Sequence, residues 1–350
     1  MELLSIFLLS LIGLLQMNDT TELVFAGDAM QHGWQIRAAA QADGSYDYSE
    51  CFSLIEDEIQ QAHYAVVNLE CPLGGRPHRG YPVFSSPDEY AKQLQLSGFD
   101  MLLTANNHCL DSGTAGLKRT ISVLDEMGIA HIGTYSDESE RMRRLPMIKD
   151  INGVKIAFLT YTYGTNGFPV RKPIIVDLID RDLIKKDVEQ AREVGAEMVC
   201  VCMHWGNEYE QLPSRSQLNL AQYLKELGVE MVIGSHPHVV QPMELQYDAH
   251  NGSGMVVAYS LGNFISNQND LNGRGGAMAK IRLVRYDDCP AILDVIPNLV
   301  FCQKPLNKGD NYKLIPQNLM DSVRDDSKTT YEQFMLNTNK LFKKYNINID

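Results

Sequence analysis

The 350-residue chain predicts an α/β fold, and three observations carry that prediction. Apolar runs of strand character alternate with segments of helical periodicity. Several runs, VKIAFLTY, EMVCVCM, VEMVIG and GMVVAYS, are almost continuously apolar, as strands covered on both faces are. Five short polar segments each follow a strand-like run: Gly27-Asp28, Asn68-Leu69-Glu70, Asn106-Asn107-His108, His204-Trp205-Gly206 and Gly234-Ser235-His236-Pro237-His238. Loops beyond the carboxyl ends of strands in an α/β sheet line one crevice, so the polar groups of these segments are predicted to converge.

Taken in order, residues 3–15, LLSIFLLSLIGLL, form an apolar stretch thirteen residues long, too short for the roughly 20 of a spanning helix and matched in length to the core of an export signal. Residues 1–17 therefore read as a signal peptide or short membrane anchor, although Glu2 stands where a basic flank is usual. LVFA is a strand leading to Asp28. Phe52, Ile55, Ile59 and Ala62 lie on one face of a helix predicted over 50–62. YAVV leads to Asn68, and Ser86-Pro87-Asp88-Glu89 predicts a helix start with a hydroxyl cap, Pro at N1 and Glu at N3. DMLLTA leads to Asn106, and Leu117, Ile121 and Leu124 mark a helix that Gly128 closes. A helix over 180–194 stops at Gly195. Another carries Leu218, Ala221, Leu224 and Leu227 and ends at Gly228. One domain spans 20–302. The polar segment 303–350 ends in a docking helix marked by Tyr331, Phe334, Thr338, Leu341 and Tyr345.

Composition narrows the function. A formal charge of −13 with no Lys/Arg block excludes nucleic acid as a partner, because that partner requires a basic footprint. Any polyanionic substrate must then be drawn in locally, by metal ions or a few arginines. The seven cysteines are odd in number and irregularly spaced, which argues against a disulfide framework, and no close C-x-x-C pair suggests a zinc thiolate site.

The chemistry concentrates in the strand-end segments. His236 and His238, separated by Pro237, join His204 as an imidazole set. Asp28 and Glu70 supply anionic ligands, and a carboxylate can bridge two divalent cations. Alone, Asp28 also reads as a turn residue, whereas Glu70, straight after YAVVNL, is costly to bury without a cation or donors. Asn107 offers a carbonyl oxygen or a structural cap. His108, one residue on, points elsewhere and becomes a candidate acid. Tyr161 and Tyr163, in a segment following VKIAFLT, read as a pocket wall, with simple packing as the alternative. Asn263 belongs to the same rim. Arg76, His78 and Arg79, in a Gly/Pro-rich loop beyond Glu70, are candidates for gripping an anionic substrate.

The ordered motifs GDAM, NLECPL, ANNHCLDSG, HWGNEY, GSHPHV and YSLGNF, over residues 22–302, resemble the CapA family of capsule and poly-γ-glutamate biosynthesis proteins. That family is similar in fold to the calcineurin-like metallophosphoesterases. The resemblance implies a four-layer α/β/β/α sandwich of two mixed sheets with two divalent ions (Mn, Zn or Fe) at the strand ends. It implies that Asp28, Glu70 and His238 hold one ion and that Glu70, Asn107, His204 and His236 hold the other. His108 would meet the scissile group, with Asp111 orienting its ring. The chain departs from the wider pattern at Met30, where D-x-H would place a histidine, at Glu70 for aspartate, and at Asn106 for the glycine of G-N-H. His32 either replaces the missing ligand or is a solvent-facing loop residue. The implied function is a metal-dependent hydrolase in cell-surface polymer biosynthesis, exported or tethered at the cell envelope. It would act on an anionic small molecule or polymer beside capsule-synthesis membrane proteins. A non-hydrolytic polymer-binding component of a synthesis or export assembly is the alternative.

Overall fold

The structure, a computed structural model, describes residues 20–247, 254–286 and 288–349. The signal or anchor expected at 1–17 lies outside the described residues. β1 (Thr21–Ala29), β2 (Tyr64–Leu69), β3 (Met101–Leu103) and β4 (Ala130–Ile132) run parallel, side by side. After the short β5 (Thr134–Tyr135), the hairpin of β6 (Met147–Ile151) and β7 (Val154–Thr162) opens a second sheet, and β8 (Ile175–Val176) pairs back on β5. β9 (Met198–His204) and β10 (Met231–Ser235) extend that sheet in parallel from β7, and β11 (Met243–Tyr247) and β12 (Gly254–Ala258) complete it. β13 (Asn263–Ile265), β14 (Gly275–Tyr286), β15 (Cys289–Gln303) and β16 (Lys313–Pro316) return to the first sheet.

The result is an eight-stranded sheet ordered β16-β15-β14-β1-β2-β3-β4, with β13 beside β1, and a six-stranded sheet ordered β11-β12-β10-β9-β7-β6. Both are mixed. Side-chain alternation sorts the first sheet's residues between two cores. Leu23 and Phe25 of β1, Val66 of β2 and Met101 of β3 join the second sheet in one cluster, which continues into helices Arg181–Glu193 and Arg215–Glu226. Val24 and Ala26, Ala65 and Val67, and Leu102 face the other way, onto Phe52, Ile59, Tyr90, Leu94 and Leu124. Helix, sheet, sheet and helix therefore form the four layers anticipated above. Each large apolar side chain buried in this way contributes roughly 1.5–3 kcal/mol.

Helix ends follow local chemistry where the signal is strong. Gly128 takes a left-handed cap after Gly113–Met127, and Asp180 caps Arg181–Glu193 by accepting from the Leu183 amide. Two details differ. The 50–62 segment is two short helices, Ser49–Phe52 and Glu56–Gln60, with Phe52, Ile55 and Ile59 still buried. Pro87, not Ser86, is the N-cap of Asp88–Leu96, and the Ser86 hydroxyl is buried without a hydrogen-bond partner. In Arg215–Glu226 the packed face is Leu220, Ala221 and Leu224, while Leu218 is exposed.

The boundary drawn at 302/303 falls inside the first sheet, because β16 pairs with Val300–Gln303 of β15. Its core residues Leu314 and Ile315 sit in a stretch too short and too flanked by polar residues to stand out in the sequence. Helix Lys328–Tyr345 buries Tyr331, Phe334, Thr338 and Leu341, with Tyr331 and Phe334 packed on Phe301. All seven cysteines are free, and six are buried. No described helix is long and apolar enough to cross a membrane.

Candidate metal centre

Strand ends of both sheets meet at one place. Asp28 sits on β1, Glu70 just beyond β2 and Asn107 beyond β3, while His204 ends β9 and His236 and His238 follow β10. Two glycines permit this approach. A Cβ on Gly27 would stand 2.0 Å from the Gly262 carbonyl oxygen, and one on Gly234 would stand 1.9 Å from that of Tyr259. All six residues are buried.

Glu70 is central. Its Oε1 lies 3.7 Å from His204 Nε2 and 3.7 Å from His238 Nε2, and has no hydrogen-bond partner. Burial, reinforced by the Asp28 charge, pushes its carboxyl well above the usual range. Asp28 goes the other way. Burial raises it, but the His238 hydrogen bond and the charges of His238 and His204 outweigh burial and hold it below the ordinary range. Asp28 Oδ1 accepts from Asn68 Nδ2 (2.8 Å) and Oδ2 from the His236 amide (3.2 Å), with His238 Nδ1 at 3.1 Å. Asn263 Oδ1 is also 3.1 Å from that Nδ1. Two acceptors at one nitrogen place the proton there and leave Nε2 facing Glu70. His204 meets Ser235 Oγ (2.9 Å) through Nδ1 and Asn107 Oδ1 (2.8 Å) through Nε2. Burial, with the neighbouring His236, holds His204 well below its usual value, and burial lowers His236 to about 4.

These residues fit a cation centre. Ligand atoms of Glu70, His236 and His238, and of Asp28, Glu70 and His204, each lie within 4.8 Å of one another, and Glu70 is common to both groups. His236 Nδ1, like Glu70 Oε1, is buried and unpartnered. Orphaned electron-pair donors on a buried carboxyl and a buried imidazole are what N/O cation sites require. The grouping differs from the one the resemblance implies, since His204 falls with Asp28, and His236 with His238. His236 (φ +97°) and His238 (φ +59°) are both left-handed, where the following proline predicts an extended His236. The Asp28 bond to the His236 amide pins that conformation.

Beside the centre, His108 Nδ1 is 2.7 Å from Asp111 Oδ2, which also accepts from the Phe84 amide. The sequence pointed to this pair. Tyr163 is half exposed, with its ring 4.5 Å from that of His236. Two substrate-binding expectations, Tyr161 and Asn263, are corrected. Tyr161 is fully buried and donates to Asp187 Oδ2 (2.8 Å), in a network where Arg141 also pairs with Asp177 and Asp187. Asn263 is fully buried beside Asp28 in the β1–β13 register, and orients His238 instead of facing substrate. Arg76 donates to the Gly44 carbonyl and lies over the Tyr46 ring, while Arg79 is exposed in a backbone bridge with Ser85. Neither arginine has a hydrogen bond to the centre among the described residues. His32 stands at the N-cap of helix Gly33–Ala39, its Nδ1 3.1 Å from Gln35 Oε1, and belongs to neither ligand group. Met30 is buried in the core.

Asn68, Asn166 and Ser235 were missed as site residues. Asn68 Nδ2 donates to both Asp28 and Glu70, while Asn166 has its Nδ2 3.4 Å from His108 Nδ1 and its Oδ1 accepts from Asn107 Nδ2 (3.1 Å). All three lie in segments the sequence singled out, so the signal was position. Cys71 and Cys109 adjoin the centre, but burial pushes both thiols up to about 12, which leaves them unreactive.

Fold and site thus define a four-layer α/β/β/α protein with a carboxylate, carboxamide and imidazole cluster where two sheets meet. The profile of the bacterial capsule synthesis protein PGA_cap family matches residues 22–268, and the chain belongs to that family. It is similar to capsule biosynthesis protein CapA of Bacillus anthracis, 27% identical over 80% of this chain and 67% of the relative. The PGA biosynthesis protein CapA of Bacillus subtilis (strain 168) is 28% identical over 76% of this chain and 68% of its own length. Among solved structures, calcineurin-like phosphoesterase YfkN from Bacillus subtilis aligns at 14% identity and a TM-score of 0.47, over 92% of this chain and 98% of that one.

Proposed function

We propose that the chain is a metal-dependent phosphoester hydrolase acting in capsule or poly-γ-glutamate biosynthesis at the cell envelope. One observation carries the reading: the buried, unpartnered Glu70 Oε1 stands midway between His204 and His238, where a bridging ligand belongs. Asp28, Glu70, Asn107, His204, His236 and His238 would hold two divalent cations. When bound, these would polarise phosphoryl oxygens and acidify water. The chain's own residues supply the rest. Asn68 orients both carboxylates, and Asn263 with Asp28 fixes the His238 tautomer. His108 keeps its Nδ1 against Asp111 and offers Nε2 to the leaving oxygen. Phe84, edge-on to His108 at 4.7 Å, limits water on that side.

Met30 favours a second reading, a polymer-binding component without turnover, because the sequence position where D-x-H would place an imidazole holds a buried thioether. Elemental analysis of the purified chain, with turnover of bis-p-nitrophenyl phosphate in manganese, zinc or iron, separates the two. His236→Ala is expected to lose metal and turnover while staying folded. Unchanged metal content in that variant would refute the assignment.

A further inference from the structure

Around the centre the chain presents tyrosine where an anion-gripping site would present arginine. Tyr209 is the most telling. Its φ is +65°, a left-handed conformation that is rare for a bulky residue and costs about 1–3 kcal/mol. It is 50% exposed, so burial does not offset that strain. Its amide donates to the Pro237 carbonyl (2.8 Å), which ties it to the histidine loop and sets its ring 6.2 Å from that of His238. Tyr163, 48% exposed, covers His236 and lies nearly parallel to His204 at 6.3 Å. Tyr81, 72% exposed, packs edge-on to Phe84 beside His108. Three solvated phenol rings thus stand around the four histidines.

Charge selects among occupants. The exposed charges flanking Tyr209 are Glu208 and Glu210. A chain carrying a carboxylate on every unit would meet like charge there, which costs affinity. A sugar ring suits the rim instead, with C–H faces for the rings and hydroxyls for the phenols and Glu208. We propose that Tyr163, Tyr209 and Tyr81 form an aromatic rim that receives a neutral sugar ring, so that the group attached to the phosphoryl centre is a glycan. This rests on the hydrolase reading above and names its substrate class.

The test titrates the manganese-loaded chain with triacetylchitotriose, γ-linked triglutamate and inorganic phosphate, followed by saturation-transfer NMR. Chitotriose is expected to bind more tightly than triglutamate. Tyr81→Ala and Tyr209→Ala should each weaken it about threefold to tenfold, the range of one lost aromatic contact, while leaving phosphate affinity unchanged. Tyr209→Gly, which suits the left-handed backbone, should fold normally and show the same loss. Equal sugar affinity in the three variants, or tighter triglutamate than chitotriose, overturns the proposal. Native protein that binds chitotriose but neither metal nor phosphate would sink the hydrolase reading and leave the rim standing.

Discussion

Replacing Glu70 by glutamine should have opposite effects with and without metal. In chelated protein the native carboxylate is buried beside Asp28, with one oxygen lacking any donor. An unsatisfied buried group of this kind costs about 1–3 kcal/mol. Unfolding entropy of about 2.1 cal/mol/K per residue sums to about 0.7 kcal/mol/K for a chain of this length, so Glu70→Gln should raise the chelated Tm by about 1–4 °C. With metal at a hundred times Kd, each site adds about 2.7 kcal/mol to the native protein, or about 4 °C, and the variant should not share it. The pH dependence follows from the raised Glu70 carboxyl. A group whose folded pKa is raised contributes stability below its ordinary value of 4.5 and loses it as pH rises through the folded value. The advantage of the variant should therefore vanish near pH 4 and grow toward pH 8. Differential scanning fluorimetry of native and variant protein with EDTA or manganese, at both pH values, measures all eight combinations. A chelated variant less stable than native, or one still stabilised by manganese, would show that Glu70 is a structural anchor and not a cation ligand.

Three further outcomes are expected. His108→Ala should retain bound metal and lose about 10²–10⁴ in kcat, the range of a general acid, and equal turnover would remove it from the mechanism. In chelated protein, burial keeps His204 and His236 neutral, with His236 at about 4 against an ordinary 6.5. Depressed histidines stabilise fully above their unfolded value, so urea midpoints should fall as pH drops from 6.5 toward 4, by up to about 1.4 kcal/mol per pH unit for each, and a flat profile would contradict this. Tyr161→Phe should cost roughly 1 kcal/mol through the lost bond to Asp187, with kcat/KM unchanged, and a substrate effect would return Tyr161 to the site.

Much of the fold was legible because buried strands must be apolar and must end in polar loops. That logic located Asp28, Glu70, Asn107, His204, His236 and His238 without any pairwise information. It failed where a role depends on partners far away in sequence. Tyr161 and Tyr163 differ by two residues, yet β7 ends at Thr162, and only Tyr163 turns into the opening. Asn263 became a positioning residue through its register with Asp28, which no local pattern reveals. Arg76 found a carbonyl acceptor 32 positions away. β16 was missed because four residues among polar neighbours carry too little periodicity to be recognised.

The proposed ligand set is split between the two sheets, three residues from each. Neither half of the chain can assemble it alone, so a captured cation would act as a rivet across the seam between them. Cation affinity would then report how well the halves are mated, and a cavity carved anywhere along that joint, however remote from the histidines, should loosen the grip on metal.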